Sequence, residues 1–95
     1  MSLFLRALPI QREALGPDHR AVATTFNNIG RVHYLEGQFE AALVAYDEAL
    51  RIRRKSLGHD HLDVAATMYN AGQALHQKGD LQLSLIPLSE PTIPY

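Results

Sequence analysis

Apolar positions recur at helical spacing along most of the chain. Val22, Phe26, Ile29 and His33 lie at i, i+4, i+7 and i+11, the rhythm of one helix face. Gly16-Pro17-Asp18-His19 is a turn immediately before that stripe. Asp18 is placed to cap the helix, His19 to brace the preceding loop, and Gly37 to stop the helix. From Gln38 a second stripe runs through Phe39, Ala42, Leu43, Tyr46, Ala49 and Leu50 to Leu57, closing at Gly58. Val64, Met68, Ala71 and Leu75 restart the pattern from Asp60, with Gly79 as its stop. Upstream, Phe4, Leu8 and Leu15 mark a helix in which Pro9 is either the first helical residue or the site of a bend. The predicted order is therefore helices over 3–15, 18–36, 38–57 and 60–78, then a fragment from 81 that Pro87, Pro91 and Pro94 cut short. Connections of two or three residues make neighbouring helices antiparallel pairs.

The stripes are copies of one another. Shifting the chain by 42 residues lays 7–48 over 49–90 with 16 identities, among them Ile10/Ile52, Val22/Val64, Asn28/Asn70 and Gly30/Gly72. Average composition would give about two or three. A repeat of this length is an architecture in itself, one supersecondary unit stacked on the next. Gly30 and Gly72 fall inside helices, where glycine costs about 1 kcal/mol relative to alanine. Close approach by a neighbouring helix is the compensation they imply. Ala42 and Ala49 suit the same close packing, with Tyr46 and Phe39 filling the space beside them and Phe26 or Met68 as the large partner.

Asn28-Ile29-Gly30 through Gly37-Gln38-Phe39-Glu40-Ala41-Ala42, followed by Tyr46 and Ala49-Leu50, resembles the tetratricopeptide repeat pattern. The 42-residue period, with Leu15-Gly16-Pro17-Asp18-His19 answered by Leu57-Gly58-His59-Asp60-His61, is similar to the kinesin-light-chain subclass. The resemblance covers residues 7 to about 85. It implies an all-α fold, an α-solenoid of antiparallel helix pairs in a right-handed superhelical stack of about two repeats. As one domain over 1–95, this comprises a partial repeat at 3–15, a full repeat at 18–57, a second repeat at 60–86 with a truncated second helix, and a proline-rich tail at 87–95.

Composition narrows the chemistry. A chain of 95 residues with net charge −1 cannot enclose a large two-domain active site, and it has no field to concentrate nucleic acid or anionic lipid. No cysteine means no disulfide, thiolate metal site or cysteine nucleophile, and fits a reducing compartment, with the cytoplasm as the expected location. The apolar start lacks a positive n-region and carries Pro9 and Arg6 inside it, so a signal peptide is not expected, and no run is long enough to span a membrane. His59-Asp60-His61 offers donors of the kind zinc takes, but the recurrence of Asp-His at 18–19 is accounted for by capping. Arg51, Arg53, Arg54 and Lys55 suit a helix C-terminus, and Glu40, Asp47 and Glu48 a solvated face. Neither a metal nor an organic cofactor is expected, and no nucleophile, base and orienter share a face.

What remains is the polar and aromatic side of the first helix of each pair. In tetratricopeptide repeats these helices line a concave groove, and the matching positions here are Asn27, Asn28, Arg31, Tyr34 and Leu35, then Tyr69, Asn70, Gln73, His76 and Gln77. Asn28 and Asn70 can each donate and accept, as clamping an extended backbone requires, and Arg31 can meet a carboxylate. The resemblance thus implies a non-catalytic module binding a peptide of a partner protein. The alternative is a stacking fragment that self-associates, as a homodimer or head to tail. Pro87 truncates the cover of the Val64, Met68 and Leu75 stripe, and Phe4, Leu8 and Leu15 lack a first helix of their own.

Overall fold

The computed structural model describes residues 1–58 and 61–84, and for 57 and 81–84 the backbone alone. Within them four helices follow one another: α1 (Ser2–Leu15), α2 (Arg20–Leu35), α3 (Phe39–Leu57) and α4 (Leu62–Ser84). Each packs on the next, and α2 also meets α4, as in a stack of helix pairs. The fold is all-α, and the repeat sets its joints. Gly16 and Gly58 end α1 and α3 at φ +96° and +88°, and their N–H groups donate to the carbonyls of Arg12 and Arg54, positions one repeat apart.

The core sits where the stripes point. Val22 and Ala23 of α2 enclose Ile52 of α3, with Leu8 of α1 and Phe26 packed around them. Ala42 and Tyr46 of α3 meet Ala74 of α4, with Tyr34, Leu43 and Ala71 beside them. Arg12 lies over the Phe26 ring at 5.2 Å, covering its outer side. In α4 the stripe is only half used: Val64 is buried, but Met68 and Leu75 are exposed rather than packed.

Four expectations change. The Asp-His pair has its roles exchanged: His19 is the cap, its Nδ1 accepting from the Ala21 N–H at 3.0 Å, and Asp18 is the brace. Asp18 reaches Arg51 at 3.0 Å and Lys55 at 2.5 Å on α3, while its carbonyl accepts from Ser56 Oγ. His61 repeats the cap, accepting from the Asp63 N–H at 3.0 Å. Second, Pro9 does not start α1, which begins at Ser2. It lies inside the helix on an exposed side, and the Leu5 carbonyl that loses its donor also belongs to an exposed residue. Third, Gly79 does not stop α4, which continues to Ser84. Fourth, Gly72 has no close neighbour among the described residues. Gly37 does end α2, where the Gln38 and Gly37 N–H groups return to the carbonyls of His33 and Tyr34 in a Schellman closure. The expected cap at Asp60, the other cluster residue His59, and the prolines of 87–95 lie outside the described residues.

Candidate functional site

Small residues bring three helices close enough to share one cleft. Ala42 and Ala74, both fully buried, let α3 and α4 approach, and Gly30 lets α3 approach α2. A Cβ on Gly30 would stand 2.6 Å from Cε1 and 2.7 Å from Cδ1 of Tyr46, so the ring lies directly against the α2 backbone. Above it opens a cleft of about 400 Å³ lined by Asn27, Arg31, Tyr34 and Leu35 of α2, Tyr46 of α3, and Asn70 and Gln73 of α4. Positions 27, 31, 34 and 35 share one face of α2, and 70 and 73 one face of α4, which is why two separate helices present a single wall.

The polar groups are held in order. Asn70 Nδ2 donates to Asn27 Oδ1 at 3.3 Å, tying the two helices and leaving each side chain a second amide atom to offer. Tyr34 stands edge-on to Phe39, ring centroids 5.6 Å apart at 64°, which fixes its ring. Gln73 Nε2 donates to the Tyr69 hydroxyl at 3.2 Å. Burial pushes the Tyr46 phenol above its ordinary pKa, Arg31 opposes this in part and Tyr34 adds to it, so the phenol stays protonated at neutral pH. Arg31 is an exposed cation on the same wall.

Six of the ten residues expected from the sequence meet at this cleft: Asn27, Arg31, Tyr34, Leu35, Asn70 and Gln73. Asn28, Tyr69, His76 and Gln77 are not among its lining residues. His76 faces Asp80 at 3.4 Å, and Tyr69 reaches the site only through Gln73. Tyr46 is the lining residue the sequence reading assigned solely to packing. Its signal was available in Gly30, the helix-interior glycine against which the Tyr46 ring comes to rest.

The family model of the tetratricopeptide repeat matches residues 2–55 and again 32–90. No curated protein matches the chain. No described helix is long and apolar enough to cross a membrane.

Proposed function

Since the chain belongs to the tetratricopeptide repeat family, whose repeats generally mediate protein–protein interaction, we propose that it is a non-catalytic module holding an extended peptide segment of a partner in the α2/α4 cleft. The observation that carries this reading is the cleft itself: paired amides, one cation and two phenols converge on one concave surface built from two successive repeats. Amides of Asn27 and Asn70 suit the alternating donors and acceptors of an extended backbone, Arg31 suits an acidic side chain or a C-terminal carboxylate, and Tyr34 supplies rigid amphipathic area. Tyr69, His76 and Gln77 continue the same face of α4, and Asn28 flanks the α2 wall, so a longer peptide would run onto them. The 42-residue period and the repeated Leu-Gly-x-Asp-His support the kinesin-light-chain-like subclass, with a cytoplasmic setting in keeping with a chain that carries no cysteine.

The test is selection of binders from a random peptide display library on the full chain, followed by titration against Arg31→Ala/Asn70→Ala. Selected peptides are expected to lose about tenfold or more in affinity while the melting temperature barely moves. Binding that is indifferent to both substitutions overturns the cleft reading.

One observation favours a second reading, a stacking unit. Leu62, Met68 and Leu75 are all exposed on α4, more apolar surface than one surface helix needs to show.

A further inference from the structure

The contact between α2 and α3 is a template for one that α1 and α4 are built to make. In it Ile52 is buried against Val22 and Ala23, and the Tyr46 ring rests on Gly30. One 42-residue repeat later α4 offers Val64, Ala65 and Gly72 at the α2 places, identical in all three. One repeat earlier α1 offers Ile10 at the place of Ile52 and Phe4 at that of Tyr46. Among the described residues both halves are open beyond Val64, which is already buried. Ile10 is 67% exposed, and Met68, at the place of Phe26, 50%. A Cβ added at Gly72 would meet no described atom within 4 Å, where the one at Gly30 would strike the tyrosine ring. The other side of α1 is already engaged, Leu8 packing on the α2 core and Gln11 bonding Thr25, so the exposed side is the one that α3 turns to α2.

We infer that a second copy of this chain covers α4: α1 of one copy packs on α4 of the next in the register of α3 on α2, Ile10 against Ala65 and the Phe4 ring over Gly72. The inference rests on the stacking reading above and gives it residues and polarity. The contact is heterologous, so each added copy leaves one open α1 and one open α4, and association does not stop at two. Its charge pattern separates it from the template. Where Arg51 and Lys55 of α3 hold Asp18, α1 carries Pro9 and Glu13. The junction between copies is therefore apolar, weaker than its intrachain counterpart, and not dissolved by salt.

Sedimentation of the full chain between about 1 and 100 μM, in low salt and in about 0.5 M NaCl, reads this directly. The expected result is a mass that climbs past the dimer with concentration at both salt levels. Ile10→Glu and Gly72→Leu each alter one exposed surface, and each alone should weaken association about tenfold or more with helicity intact. Ala65→Glu is the second α4 variant should Gly72→Leu lose helicity. An equimolar mixture of the α1 and α4 variants should form a 1:1 dimer and no more, because each keeps the end the other lacks. A parent chain that associates but whose variant mixture stays monomeric, or a dimer that saturates and survives both substitutions, overturns the register and leaves stacking standing. A constant monomer mass overturns both.

Discussion

A methyl group added at Gly30 and one added at Gly72 have opposite destinations. At Gly30 it collides with the Tyr46 ring at 2.6 Å, and at Gly72 it meets no described atom within 4 Å. Gly30→Ala should cost roughly 1 to 3 kcal/mol from overpacking, offset in part by helix propensity. Gly72→Ala has no ring to displace among the described residues and should stabilise by up to about 1 kcal/mol. Urea midpoints of the two variants at low protein concentration check this, and a shared sign would show that Tyr46 does not rest on Gly30. The residue scale is also where the sequence reading slipped. Asp18 and His19 are both competent acceptors, and which one caps depends on a one-residue choice of where helical dihedrals begin. That choice is made by Arg51 and Lys55, which hold Asp18 from more than thirty positions away, at separations of 33 and 37 in the chain. No local pattern contains them.

Between helices, the repeat places the same kind of polar bolt at the two equivalent joints, α1/α2 and α3/α4. Thr25 Oγ1 of α2 donates to Gln11 Oε1 of α1 at 2.6 Å, and one repeat later Thr67 Oγ1 of α4 accepts from Arg53 of α3 at 2.5 Å. Arg53 also donates to the Asp63 carbonyl, and both Arg53 and Thr67 are buried. Thr67→Val leaves a guanidinium N–H buried without its hydroxyl partner, and should cost about 1 to 3 kcal/mol. Thr67→Val on an Arg53→Met background should cost much less, because the orphaned charge is gone. Equal costs on the two backgrounds, from chemical unfolding of all four chains, would dissociate the pair. Element identities and faces were legible because both repeats carry them twice, at helical spacing. The end of α4 was not. Gly37 stops α2 with the help of His33 Nδ1 and Gln38 Oε1, 2.8 Å apart, and of Phe39 against Tyr34. At the matching places stand Leu75 with Asp80, and Leu81 with His76, and a His76–Asp80 pair at i, i+4 carries the helix across Gly79 instead.

Across the whole molecule, ion pairs join parts that the turns leave separate. Asp18 straps the start of α2 to the end of α3, and Lys78 of α4 meets Glu40 at the start of α3. Hydrogen bonds from Lys55, then Arg51, hold the Asp18 carboxyl below its ordinary pKa. A carboxyl lowered on folding stabilises above its unfolded pKa, near 4, and ceases to do so as pH falls through the lower folded value. Asp18→Asn should therefore melt below the parent by a gap that is constant from about pH 7 to pH 5 and closes on further acidification. A gap that persists in strong acid would show that the side-chain volume, and not the charge, is what the strap uses. The concave wall was foreseeable at this scale, since matching faces of α2 and α4 follow from the period alone. Its floor was not, because Tyr46 comes from the helix between them. The joints at Gly16 and Gly58 bear on shape in another way. Their backbones agree closely, φ/ψ of 96°/152° and 88°/167°, and no described side chain stands within 4 Å of where a Cβ would be. What these two positions contribute is an angle and not a contact. The turn out of α1 and the turn out of α3 thus begin in the same backbone conformation, so a residue with a Cβ at either place should strain the joint through its own torsions and not by collision with a described side chain.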